Sequence, residues 1–327
     1  MMRDRRSFIA LGVGALAVAA LPRPPRRAPP LVRRRIPVMG TIAEAAIPSR
    51  DEGWAHGAIG AAFSELRRVE AAMTRFRDDS DVGVLNASCD RWVDVSADTR
   101  EVLAASVRWA ELSGGRFDPC MGRVTELWDA KVRSRPPPEN ELVRFADAHL
   151  WRTLDVDGAG GSPRARLSSA DAAVDLGGIA KGFAVDLAAE ALRARGVTDG
   201  LVNVGGDLVA LGVDVTGDPW LVGVRSPDDP YGLAATLAVS DEAVATSGDY
   251  VRFFEHAGRR YHHLLNPDTA APRLTGMRSL TVRAERCLDA DAAASALFGS
   301  DRARAARMLT RAAGGVRIVH EIEEVTS

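Results

Sequence analysis

Cysteine is scarce in this chain of 327 residues. Cys89, Cys120 and Cys287 stand alone, which gives neither a disulfide framework nor the spacing of a cysteine–histidine metal site. Aromatic residues make up only 6%. Neither sign of charge dominates: 42 basic against 44 acidic residues leave a net charge of −2. With a pI near 6.3, no global field draws the chain to nucleic acid, and any phosphate must be bound locally. There is no internal repeat, no phosphate-binding Walker loop, no dinucleotide fingerprint, no nucleophile elbow and no His-Glu-x-x-His. What is present is ordinary globular composition, 46% hydrophobic and 26% charged, in a chain long enough to bury a large core unaided.

The N-terminus carries Arg5-Arg6-Ser7-Phe8, followed by an Ala/Gly-rich apolar run over residues 11–21. Paired arginines before such a run resemble a twin-arginine export signal over residues 1–21, and Ala17-Val18-Ala19 offers a cleavage site. The expected location is therefore periplasmic or on the outer face of the cytoplasmic membrane. The run is short for a spanning helix, and an uncleaved anchor is the alternative. Cleavage there removes three arginines and one aspartate. Residues 22–35, rich in Pro and Arg, read as an extended linker, contact with anionic lipid being the alternative, with the folded domain over residues 36–327.

Periodicity predicts a strand over residues 41–47, then a helix with Ile59, Ala62, Phe63, Leu66, Val69 and Met73 on one face. A strand over 92–95 precedes a helix whose start is marked by Asp98 and Glu101. A short strand at Val174-Asp175-Leu176 leads through two glycines into a helix ending near Ala194 and Gly196. Strands follow at 201–204, 207–211, 220–224, 233–239, 261–265 and 279–284, then helices over 289–298 and 302–313. This irregular mixture points to an α+β fold with substantial antiparallel sheet.

Three segments carry candidate chemistry. In Asp175-Leu176-Gly177-Gly178-Ile179-Ala180-Lys181-Gly182-Phe183, the glycines permit close backbone approach and the helix start favours an anion; a plain tight turn fits the same pattern. In Asp289-Ala290-Asp291-Ala292-Ala293-Ala294-Ser295, Asp291 and Ser295 share a helix face and offer oxygen donors to a hard cation such as Mg2+. Either aspartate could equally cap the helix, with Ser295 as a packing residue. In Tyr261-His262-His263-Leu264-Leu265-Asn266-Pro267, alternation lets only one of the paired histidines face a given site; a buried, hydrogen-bonded histidine is the competing reading.

Taken in order, these segments resemble the ApbE family of FAD:protein FMN transferases. Met39-Gly40-Thr41, Met73-Thr74-Arg75-Phe76, Phe117-Asp118-Pro119, the 175–182 block, Val202-Asn203-Val204-Gly205-Gly206-Asp207, residues 246–250, residues 263–267 and residues 290–295 are collinear with it over about residues 36–300. The resemblance implies a T-fold-like α+β architecture of layered, largely antiparallel sheets, with peripheral helices enclosing a flavin cleft. It implies flavin contacts from Met39, Phe76, Arg116, Phe117, Asp118, Gly177, Lys181, Phe183 and Leu265. It implies Mg2+ held by the Ala180 carbonyl, Asp291 and Ser295, and His263 as general base. The implied reaction consumes FAD, attaches FMN to a threonine of an acceptor protein, such as a membrane redox-complex subunit, and releases AMP. FAD pyrophosphatase and non-catalytic FAD binding are the alternatives. Three departures from the family pattern stand out. Ser295 replaces threonine, Cys120 replaces the threonine of Phe-Asp-Pro-Thr, and Asn266-Pro267-Asp268-Thr269-Ala270 replaces Asp-Pro-x-Thr-Gly.

Overall fold

The protein is described by a computed structural model covering residues 16–18, 28–129, 131–157, 161–229 and 231–323. The paired arginines of the expected export signal lie outside the described residues.

A seven-stranded antiparallel sheet forms the centre: Leu31–Val38 (β1), Thr41–Pro48 (β2), Gly200–Val204 (β3), Asp207–Leu211 (β4), Glu242–Gly248 (β5), Met277–Ala284 (β6) and Arg317–Glu323 (β7). Spatial order follows sequence order, so the intervening segments are excursions from one meander. On one face pack helices Glu52–Met73 (α1), Ala97–Ser113 (α2), Ala180–Ala194 (α3) and Cys287–Leu297 (α4). The other face is covered by a smaller sheet in which Trp220–Arg225 pairs with Leu233–Val239 and with Leu16–Val18.

Every residue of β3 and β4 is buried, because the sheet is covered on both sides. Their side chains alternate between two cores. Val202, Val204, Val209 and Leu211 face the helices, whereas Leu201, Leu208 and Ala210 join Trp220, Val222 and Val224 on the opposite side.

Several expectations are corrected. The linker expected over residues 22–35 is already sheet from Leu31, with β1 paired residue for residue to β2. Val32, Ile36 and Val38 point inward between the arginines, and Arg35 Nε donates to Glu44 Oε2 at 2.5 Å. The basic composition masked this alternation, and Pro37 is tolerated because β1 is an edge strand. Val174-Asp175-Leu176 is no strand. The Asn86 side-chain amide replaces a neighbouring strand there, bonding both the N–H and the C=O of Val174. Helix α2 is capped by Ser96, whose hydroxyl accepts from Thr99 N, with Asp98 in the first turn. The strand expected over 261–265 ends at His262, in the hairpin Phe253–His256 and Arg259–His262.

Candidate active site

Two adjoining cavities, of about 460 and 250 Å³, open between the helical layer and the end of the central sheet. Gly40, Asp175, Gly177, Lys181, Arg252, His263 and Leu265 line both, making them one continuous cleft.

Met39 and Gly40 form the two-residue β1–β2 turn, with φ of +52° and +68°. Positive φ at both positions is what such a hairpin requires. Glu70 at the end of α1 accepts from the Met39 N–H at 2.5 Å and holds the turn against the larger cavity. Phe76 sits at its rim, 78% exposed, with the Arg75 guanidinium 4.5 Å from the ring centroid. An exposed ring beside a cavity is free to stack on a flat ligand. Arg75 in turn is paired to Asp175 at 3.2 Å. Trp128, stacked on Tyr261, closes the far wall.

The glycine turn is shaped by how closely its neighbours approach. A Cβ on Gly178 would lie 2.8 Å from Ser295 Oγ and 3.3 Å from the Phe117 ring, and one on Gly182 would lie 2.2 Å from the Cys287 carbonyl. Glycine at both positions lets α3 and α4 touch. Asp291 Oδ2 accepts from Gly182 N at 3.1 Å, and the Ser295 hydroxyl lies 3.4 Å from the Gly178 carbonyl. The turn and the late helix, far apart in sequence, meet as expected. The helix-cap alternative fails. Asp289 accepts from Arg108 and Trp109, and Asp186 of α3 caps α4 by accepting from Cys287 N and Leu288 N at 2.7 and 3.0 Å.

Lys181 Nζ bonds Asp207 and lies 3.3 Å from both Asp291 oxygens. Burial works against this ammonium, but Asp207 and then Asp291 outweigh it and raise its pKa. The Asp291 carboxyl is also raised, by burial first and by the Asp207 charge second. Two buried carboxyl groups share one ammonium, which balances only one of them when both are ionised. The surrounding donors are oxygens from Asp291, Ser295 and Gly178, the chemistry of a hard cation. Among the described residues no three His, Cys, Asp or Glu side chains form a metal cage. A Mg2+ that keeps waters and takes substrate phosphates needs none.

His263 faces the cleft and His262 the interior, where its ring meets Phe298 edge-on at 5.8 Å. Burial first, then Arg252 and His262, lower the His263 pKa, so the imidazole is neutral at physiological pH. Its Nδ1 lies 3.3 Å from the Arg252 carbonyl, and the Arg252 carbonyl also accepts the His263 N–H at 3.1 Å.

Met39, Phe76, Ala180 and Leu265 line the larger cavity, and Arg116, Phe117, Asp118, Asp291 and Ser295 the smaller one. Burial pushes the Asp118 carboxyl up to about 6, against the pull of the Cys120 and Trp151 N–H groups that it accepts. Phe183 is the exception. It lines neither cavity and is 1% exposed in the core, because two residues along a helix turn a side chain by about 200° from Lys181. Sequence reasoning missed Glu70, Arg252, Asp186 and Arg273. Arg252 was reachable from its place just after the 246–250 block. The others depend on contacts between distant segments.

A family model for the ApbE family matches residues 39–319. The chain is 34% identical over 284 residues to an FAD:protein FMN transferase of Treponema pallidum, covering 80% of this chain and 76% of the relative. It is 31% identical to the FAD:protein FMN transferase of Haemophilus influenzae, covering 73% and 71%. The crystal structure of the ApbE protein from Thermotoga maritima superposes with a TM-score of 0.79 at 27% identity, over 90% of this chain and 97% of that one. The apo flavinyl transferase ApbE of Pseudomonas stutzeri gives 0.75 at 25% identity, over 92% and 96%.

Proposed function

The chain belongs to the ApbE family, and from that premise we propose that it transfers FMN from FAD to a threonine hydroxyl of an acceptor protein in a Mg2+-dependent reaction. The observation that carries this reading is the α3–α4 junction. There Asp207 and Asp291 share the single ammonium of Lys181 beside the two adjoining cavities. A divalent cation held by Asp291, Ser295 and the Ala180 carbonyl, the set the family resemblance implies, would balance the second carboxylate there. When bound, Mg2+ supplies charge neutralisation to the diphosphate.

The chain's own groups do the rest. The glycine turn lets backbone approach the diphosphate, and Lys181 keeps Asp207 and Asp291 from repelling it. Phe76, Met39 and Trp128 offer apolar surface to the rings of the ligand. His263, neutral at rest, takes the proton of the incoming threonine hydroxyl. The diphosphate's negative charge works against the depression of its pKa and strengthens it as a base. The threonine oxygen bonds to the FMN-side phosphorus as the anhydride P–O bond breaks, and AMP departs with the bonding pair. The flavin ring is cargo, and no electron moves.

Incubation with FAD and Mg2+, with and without a threonine-bearing acceptor domain, tests this. Covalent flavin fluorescence and AMP only with acceptor support transfer. FMN and AMP without acceptor would instead mean a pyrophosphatase, and bound FAD without AMP in either tube a carrier. We further propose export by the twin-arginine route, with a membrane redox-complex subunit as acceptor. The paired arginines at the N-terminus support this. Replacing Arg5 and Arg6 by lysine should leave the chain in the cytoplasm, as cell fractionation would show.

A further inference from the structure

The departure of residues 266–270 from the family pattern is accompanied by a buried arginine just beyond it. Arg273 is 8% exposed, and among the described residues no carboxylate pairs with its guanidinium. It donates instead to four backbone carbonyls. Nε reaches Leu265 at 2.9 Å, Nη1 reaches Ser295 at 2.7 Å and Phe298 at 2.9 Å, and Nη2 reaches Arg116 at 2.6 Å. Its own N–H donates to the Leu264 carbonyl at 2.9 Å, and its carbonyl lies 2.9 Å from His262 Nε2.

Those partners belong to three separate parts of the site. Leu264 and Leu265 follow His263 directly. Ser295 and Phe298 stand at the end of α4, whose last carbonyls lack helical partners and carry the negative end of the dipole. Arg116 leads into Phe117 and Asp118. The rigid planar fork of a guanidinium can satisfy all of them at once, which an ammonium cannot. A buried cation without an acid is costly to keep. Arg116, reaching the same Phe298 carbonyl at 2.9 Å, adds like charge.

We infer that Arg273 is a positioning residue that sets the distance between the His263 imidazole and the Asp291–Ser295 face of α4. It borders the smaller cavity, but its guanidinium is committed to those four carbonyls, so it acts through the segments that carry His263 and Asp291. This rests on the roles given above to His263 and Asp291. In this chain an arginine clasp fastens a loop whose family-type acid and glycine are replaced by Asn266 and Ala270.

The experiment uses the full chain and the substitution Arg273→Lys, which retains charge and loses the fork. It should lower kcat for transfer by about 30-fold, the scale of a misplaced reacting group, while FAD affinity by equilibrium dialysis stays within about threefold. In a His263→Ala background the same substitution should cost less than about threefold, since residues acting through one proton transfer are not additive. Amide hydrogen exchange, which needs no chemistry, should accelerate together at residues 264–266 and 295–299. Unchanged exchange in either segment overturns the clasp. An equal loss with and without His263, or a parallel loss of FAD affinity, reduces Arg273 to scaffold and overturns the positioning role. A native chain that releases no AMP removes the transferase reading, while the exchange measurement still decides the clasp.

Discussion

The two walls of the cleft are built differently. At the α3–α4 junction, Gly182 lets backbone meet the Cys287 backbone and Gly178 makes room for the Ser295 and Phe117 side chains. Asp186 caps the partner helix, and Asp291 is bound to Gly182 N. Nothing there can shift without a clash or an unsatisfied buried group. The opposite wall, carrying His263, is a two-stranded hairpin of four-residue strands followed by a loop that the buried Arg273 fastens. Close packing makes a site for a fixed charge, whereas a shallow hairpin held by hydrogen bonds leaves room for an acceptor protein to approach. Binding is therefore assigned mainly to the first wall and proton transfer to the second.

Asp291→Ala removes the carboxylate of the packed wall and should lower Mg2+-dependent AMP release by about 10³-fold or more, the scale of losing a principal electrostatic stabiliser. Activity that survives in EDTA would show the metal to be misassigned. His263→Ala, on the other wall, should lower transfer by about 10²-fold or more, with FAD affinity changed only about twofold. Equal loss of binding and rate would make His263 structural.

A third measurement sharpens the contrast through pH. Burial raises the Asp186 carboxyl to about 6 in the folded chain, above its unfolded value of about 4. The native state then holds a proton that the unfolded state has lost between these values. Stability from this group rises as pH falls from about 6 to 4, by about 2 kcal/mol, and is lost again as pH rises through 6. Calorimetric melting across that window should show the slope, and Asp186→Asn should flatten it.

The smallest effect concerns the loop. Ala270 has φ of +51° and is fully buried, a left-handed conformation that costs a residue with a Cβ about 1–2 kcal/mol. Losing its buried methyl costs about 0.8 kcal/mol. Ala270→Gly should therefore stabilise the chain by about 0.5 kcal/mol net, and a lower melting temperature would show that the methyl's packing outweighs the strain.

Much of this architecture was legible in order along the chain. The apolar positions of α1, the strands around Gly205 and Gly206 and the four-residue spacing of Asp291 and Ser295 all follow local periodicity. What misled was local as well. Three arginines concealed the alternation of β1, so strand was read as linker. The Asn86 amide took the place of a strand beside Val174. The resemblance implies a ligand contact from Phe183, but helical rotation puts it on the face opposite Lys181, inside the core.

Local pattern placed Asp291 and Ser295 on one helix face, marked the glycines where backbone can come close and allowed only one of the two histidines to face a given site, because side-chain period and glycine geometry are properties of a few neighbouring residues; the choice of His263 and of the Mg2+ ligands came from the resemblance to the ApbE family. Only the tertiary structure decided that Asp186 rather than Asp289 caps α4, that one lysine serves two carboxylates and that Arg273 binds three segments together. Those depend on burial and on hydrogen-bond partners in other elements, from Asp207 for Lys181 to Arg116 for Arg273, for which a local pattern carries no signal.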